Sequence, residues 1–210
     1  MKYELNSQPE CFKETWPGQL KTFSWMDYVT AIPQTVSVIT TWKEERIPNA
    51  CLQAWSTYTG DGSGYHVIFS IMNHYHTYKN ILKDKEFVVN FPRIVLFPKC
   101  FKTIANNSEE IDEITSSGLT IESSKVVNAP RIKECFLNLE CRYEWHKPLH
   151  KGSLWSVFAG EVMHVAIEKN SSSSGPDGFT FYIPPSKNLE TGKQKDSEIG
   201  KIESVPIEYS

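Results

Sequence analysis

The stretch His76-Thr77-Tyr78-Lys79-Asn80 puts an imidazole, a hydroxyl, a cation and a carboxamide where the residue pattern predicts that a short helix begins. The first turn of a helix carries N–H groups without intrahelical acceptors, and its dipole favours negative charge, so such a start suits a phosphate. An ordinary helix cap at Thr77 is the competing reading. A second stretch, Asn49-Ala50-Cys51-Leu52-Gln53-Ala54-Trp55-Ser56-Thr57, reads as a strand whose small residues let a flat ring approach the backbone, with an aromatic and hydroxyls at its end. Together the two stretches suit a phosphorylated planar cofactor.

Other groupings carry less. Gly60, Gly62 and Gly64 lack the spacing of a dinucleotide fingerprint and precede a strand rather than a helix, so they read as a hairpin loop. His74 with His76, and His146 with His150, have no carboxylate at a metal-site spacing, and no metal is expected. Cys51 has no evident histidine and acid partners and reads as a packing thiol. The sequence contains no G-x-S-x-G elbow and no kinase motif set.

Strands dominate the elements that must position these groups. Residues 36–41 are rich in β-branched side chains, residues 43–46 make a polar turn, and residues 49–57 form a second strand. Residues 66–72 and 86–91 are two more strands, separated by the helix over 78–83. Asn107, with Glu110 three residues on, predicts a capping box, and Gly118 a helix stop. Between 135 and 145, Cys135, Leu137, Leu139, Cys141, Tyr143 and Trp145 alternate with Asn138, Glu140, Arg142 and Glu144, giving one core face and one face toward water or a partner. The run 154–167 is too long for one straight strand in a small domain, and a bend near Gly160 would let it serve two sheets of a barrel. Ser171 to Ser174, with Gly175 and Pro176, predicts a flexible connector. Many strands with only short helices indicate a mainly β, mostly antiparallel barrel.

Composition narrows the class. The chain has 210 residues, 22 Lys and Arg against 25 Asp and Glu, and a formal net charge of -3, which argues against a dedicated nucleic-acid binder. No apolar run is long enough for a spanning helix, and the first residues lack the apolar core of a secretory signal. Five cysteines without a C-x-x-C pair point to reduced thiols. The expectation is a single cytoplasmic domain with no membrane or nucleic-acid partner.

Read in order, Arg46-x-Pro48-Asn49-Ala50, the Trp55-Ser56-Thr57 segment, Thr77-x-x-Asn80-Ile81, Glu86-Phe87-Val88-Val89-Asn90, Ser117-Gly118-Leu119-Thr120, Ala129-Pro130-x-Ile132-x-Glu134-Cys135 and Leu139-Glu140-Cys141 form a ladder. It resembles the flavin reductase-like, FMN-binding split-barrel family, particularly its flavoredoxin-like members. The resemblance implies a six-stranded antiparallel split barrel with short peripheral helices: a core over about 30–168, an N-terminal arm over 1–29 and a flexible tail over 169–210. It also implies a homodimer holding FMN non-covalently near its interface. Gln53, Ala54, Trp55, Ser56 and Thr57 would lie along the isoalloxazine and ribityl chain, and His76, Thr77, Lys79 and Asn80 would hold the phosphate. The implied activity is an FMN-binding oxidoreductase, a flavin reductase using NAD(P)H. The alternatives are a flavoredoxin-like electron carrier served by a redox protein partner, and a non-catalytic split-barrel module for haem or another ligand. Two departures stand out: Leu52 and Ala54-Trp55 replace the proline and paired serines of many members, and Asp112-Glu113 replaces Asp-Lys.

Overall fold

In the computed structural model, which describes residues 2–105, 107–169 and 178–202, the chain opens with an arm carrying α1 (Gln19–Thr22) and α2 (Trp25–Thr30). Next come β1 (Gln34–Thr35), β2 (Ser37–Trp42), β3 (Pro48–Gln53), β4 (Ser56–Asp61), β5 (Gly64–Met72), α3 (His76–Asp84) and β6 (Glu86–Phe91). Two short helices, α4 (Phe97–Lys102) and α5 (Glu113–Ser116), precede the hairpin of β7 (Ile121–Glu122) and β8 (Arg131–Ile132). The long strands β9 (Leu137–Pro148) and β10 (Trp155–Ile167) follow, then β11 (Phe181–Ile183), β12 (Ser186–Lys187), β13 (Gln194–Lys195) and β14 (Glu198–Gly200). No helix among the described residues is long and apolar enough to cross a membrane.

Seven strands make one antiparallel sheet in the order β3-β2-β6-β9-β10-β5-β4. The expected single strand over 49–57 is broken at Ala54 and Trp55 into β3 and β4, which are the two edges of that sheet. Counted as one stave crossing from edge to edge, they restore the six staves of a split barrel. At the crossing side chain supplements main chain: the Ser70 N–H donates to the Trp55 carbonyl at 3.1 Å, Gln53 Nε2 donates to the Ser70 carbonyl at 2.5 Å, and Gln53 Oε1 accepts the Ala54 N–H at 3.0 Å. Backbone groups leaving a sheet must find such partners.

Inside the barrel Phe69, Phe87 and Phe158 are essentially inaccessible and pack with Ile39, Val89 and Cys141. Phe69 stacks on Phe158 at 5.6 Å and meets Phe87 edge-on at 5.5 Å. Each such ring contributes roughly 1.5–3 kcal/mol through burial. The bend expected in the last long strand is present, as register shifts in the β9–β10 ladder at Ala159/Gly160 and Val162/His164. A Cβ on Gly160 would lie 2.5 Å from Phe87 Cζ and 2.9 Å from the Arg142 carbonyl, so close packing demands glycine there.

Four expectations are corrected. The helix α3 starts at His76 with Tyr75 as N-cap and no side-chain cap, so Thr77 is inside it. Asn107 and Glu110 begin no helix; instead the Asp112 carboxylate caps α5 by accepting from Ile114 and Thr115 N–H groups. The carbonyls of Ser108 and Ile111 are taken by the Lys43 ammonium, which holds that stretch irregular. Asn138 and Glu140, expected to face outward, are buried because the 121–136 segment lies over them: Asn138 donates to Asn90 and Glu140 accepts from Lys125 and Val126. Residues 178–202 are not a loose tail, since β11 pairs with both β1 and β14. The serine-rich connector lies outside the described residues. All five cysteines are unbridged.

Candidate functional site

Two adjoining clefts run along the outer side of β3. The first, about 540 Å³, is lined by Asn49, Ala50, Cys51 and Leu52 of β3, by Tyr75, His76 and Thr77 at the start of α3, and by Thr103, Ile104, Asn107 and Glu113. The second, about 650 Å³, is lined by Val36, Leu52, Gln53, Ala54 and Trp55, by Phe97, Phe101 and Ile104, and by Tyr182 and Ser197. Leu52 and Ile104 belong to both, so the clefts form one groove with a polar end and an aromatic end. It extends roughly 10 Å along β3 from Ala50 to Gln53 at the rise of an extended strand, then turns the corner at Ala54 and Trp55.

The polar end is the start of α3. The N–H groups of its first turn have no intrahelical acceptors, and Tyr75 supplies no cap. His76 completes it: Nε2 lies 3.1 Å from Glu109, while buried Nδ1 has no hydrogen-bond partner and stands 3.9 Å from Glu113. Underneath is a buried ion pair, Lys43 to Glu113 at 2.9 Å, with both residues at most 2% exposed. The other Glu113 oxygen accepts the Ala50 N–H at 2.8 Å, which ties β3 to α5. Burial holds the Glu113 carboxyl above its ordinary range, opposed by the Ala50 N–H and Lys43. Burial likewise pushes the Cys51 thiol up to about 12, so it offers no thiolate to the groove.

The aromatic end is built on Trp55. Trp155 meets its ring edge-on at 5.0 Å and Phe23 packs at 5.9 Å, while the Trp155 Nε1–H donates to the Thr22 carbonyl. The N-terminal arm thus fixes the orientation of Trp55. Tyr182 arrives from β11, whose register opposite Gln34 of β1 sets it against the same wall.

The residues expected to form the site are therefore sorted by the fold. Gln53, Ala54 and Trp55 line the aromatic end, and His76 and Thr77 the polar end. Thr77 is 1% exposed, and its hydroxyl accepts from Asn49 at 2.7 Å. Asn80 is buried and donates to Thr41, fastening α3 to β2, and Lys79 is exposed. Neither lines the clefts, and Ser56 and Thr57 lie past the corner, paired with Phe69 and Ile68 of β5. Sequence reasoning missed Lys43, placed in a surface turn, and Tyr182, which only the docking of β11 brings in. The one available signal for Glu113 was its place beside the Gly118-Leu119-Thr120 motif.

Residues 29–182 match the family model described as the flavin reductase like domain. An uncharacterized protein of Aquifex aeolicus (strain VF5) is 38% identical over 92 residues, 44% of this chain and 45% of the relative, so the match spans less than half of that protein's length. Among solved structures, nitrilotriacetate monooxygenase component B from Bacillus cereus superposes with a TM-score of 0.74 at 18% identity, covering 99% of this chain and 100% of the other. Flavoredoxin of Desulfovibrio vulgaris (Miyazaki F) gives a TM-score of 0.64 at 18% identity, covering 84% and 90%. With the barrel, its broken stave and the groove in place, the match over 29–182 settles the family: the chain belongs to the flavin reductase-like domain proteins.

Proposed function

We propose that the chain is an FMN-binding oxidoreductase, a flavin reductase that takes hydride from NAD(P)H. The observation that carries this reading is the groove along β3, which joins an uncapped helix start to an aromatic wall. Small Ala50 and Ala54 leave room for a flat ring against the strand. The first-turn N–H groups of α3 and the open Nδ1 of His76 would bind the phosphate, while Trp55, Gln53 and Tyr182 would orient the ring and exclude water from one side of it. When bound, flavin supplies two-electron chemistry that amino-acid side chains lack. The protein's part is positioning, which hydride transfer needs more than an acid or base.

The groove has an apolar rim. Phe101 and Ile104 are 57% and 56% exposed at its edge, and Val95 is 84% exposed nearby. We assign this rim to the second subunit of a homodimer, which would close the groove from outside.

FMN titration followed by flavin absorbance and fluorescence tests the reading, and a protein that fails to bind added FMN refutes it. Stopped-flow bleaching of bound flavin by NADH or NADPH then tests the reductase. Absent bleaching would transfer the assignment to an electron carrier fed by a protein partner, for which the exposed apolar rim offers a docking edge.

A further inference from the structure

Lys187, on β12, is a buried cation that does not line the groove. It is 6% exposed, and its ammonium makes two contacts: it donates to the Lys13 carbonyl at 2.9 Å and lies over the Tyr28 ring, 5.6 Å from the centroid. Both targets belong to the N-terminal arm, one ahead of α1 and one within α2, and they bracket Thr22 and Phe23. Those two residues are the arm's hold on the aromatic end. The Thr22 carbonyl takes the Trp155 N–H at 3.1 Å, and Phe23 packs on Trp55 at 5.9 Å and on Trp155 at 6.2 Å.

The arm needs such a hold. Its helices have four and six residues, too few to be stable without tertiary contacts, so the place of Thr22 and Phe23 between them depends on what the arm is fastened to. The fastening is the hairpin of β12 and β13. Besides Lys187, its Leu189 carbonyl takes the Cys11 thiol at 3.4 Å, and Gln194 accepts from Gln19, itself 2% exposed, at 3.4 Å. Gly192 passes so close to the arm that a Cβ there would run into the Cys11 carbonyl. Five residues before Lys187, Tyr182 lines the groove, and Pro184 and Pro185, with φ fixed by their rings, stand between the two. We propose that Lys187 is a positioning residue for the aromatic end: it clamps the arm on both sides of Thr22 and Phe23 and so holds Trp55 where the flavin ring would pack. One C-terminal segment then supplies Tyr182 to the groove directly and sets Trp55 through the arm. The consequence for flavin rests on the flavin reading, whereas the clamp on Trp55 does not.

The test reads Trp55 itself. In the full chain labelled with fluorotryptophan, the fluorine NMR resonances of Trp55 and Trp155 are identified by their loss in Trp55→Phe and Trp155→Phe. Lys187→Met keeps an unbranched stem but neither donates nor carries charge. It should shift both resonances and leave in place that of Trp42, which packs against Arg46 instead. It should also raise the FMN dissociation constant by about three- to fivefold through displacement of the ring contact. In a Trp55→Ala background the same change should cost less than about twofold, because the two residues act through one contact. An unmoved Trp55 resonance in a folded variant, an unchanged FMN constant, or the full loss repeated in the Trp55→Ala background would overturn the proposal. If Lys187→Met does not fold, Lys187→Gln is read by the same criteria. Failure of the wild-type chain to bind FMN sinks the flavin reading alone, and the Trp55 resonance then decides the clamp; FMN binding with an unmoved resonance sinks the clamp alone.

Discussion

Replacing Lys43 by Met should be among the most damaging single changes in the molecule. All three ammonium N–H groups are committed, to the Ser108 carbonyl at 2.6 Å, the Ile111 carbonyl at 2.8 Å and Glu113 Oε1 at 2.9 Å. Without the cation, a carboxylate on a residue 1% exposed loses its counter-charge, and such a loss costs about 3–5 kcal/mol. At about 2–4 °C per kcal/mol for a chain of this size, the melting temperature should fall by roughly 6–20 °C. The double variant Lys43→Met with Glu113→Leu removes both charges, but leaves the Ala50 N–H and two carbonyls without their present partners. It should therefore regain only part of the loss, with a coupling energy of about 1–3 kcal/mol. Urea unfolding at neutral pH, with the slope checked for constancy, measures both. The sign with pH follows from the raised Glu113 carboxyl. Between its ordinary 4.5 and its higher folded value the native state binds more protons than the unfolded state, so this group's contribution is complete below 4.5 and is lost as pH rises through the window. The double variant should lack that component of the slope. A Lys43→Met cost under about 1 kcal/mol, or a double variant equal to the sum of the singles, would refute the reasoning.

Gly160→Ala should destabilise by about 1–3 kcal/mol in urea, because the added methyl meets the fully buried Phe87 ring at 2.5 Å and the Arg142 carbonyl at 2.9 Å; an unaltered midpoint would show that the bulge yields. Trp55→Ala should raise the FMN dissociation constant by about three- to tenfold through loss of a ring contact, and an unchanged constant in a folded variant would place the flavin ring elsewhere. Glu109→Gln should tighten FMN by about two- to threefold, since the carboxylate 3.1 Å from His76 stands where a phosphate would approach. Because Glu109 is half exposed, the effect should shrink in high salt, and FMN titrations at two ionic strengths check this.

The barrel staves were legible because they are runs rich in β-branched and aromatic side chains, and the bend at Gly160 was legible from length against domain size. The break at Ala54 and Trp55 was not, because strand-compatible residues continue through it and the corner is marked by bonds to Ser70 of β5, from the Gln53 side chain and to the Trp55 carbonyl. Lys43 read as surface because charged residues in a turn usually are; its burial depends on Ser108, Ile111 and Glu113, some 65 to 70 residues away. Asn138 and Glu140 fit an outward face by alternation, but alternation cannot reveal that another segment will cover it. The same limit hid Tyr182. Its pairing with Gln34 joins a two-residue strand to a three-residue one, and neither has a periodicity to detect. Nor does the sequence show that the Thr77 hydroxyl accepts from Asn49, 28 residues away.

The site also answers a structural problem. As an edge of the seven-stranded sheet, β3 has a row of main-chain groups with no strand beyond them, which in an uncovered sheet invites pairing with another chain. Here the row is covered by pieces that are not strands. The Ala50 N–H goes to Glu113 of α5, the Ala54 N–H goes to Gln53 Oε1, and α4 and β11 stand opposite as groove walls. Period-two alternation places the Leu52 N–H on the same outward edge as those of Ala50 and Ala54, in the stretch where the two clefts meet. A planar ligand with carbonyl and imide edges can use such a main-chain edge as a strand would, without side-chain hydroxyls. Recognition through main chain survives a change of side chain provided the corner at Ala54 and the anchor at Glu113 keep β3 in place, and so the groove depends on Lys43 although Lys43 does not line it.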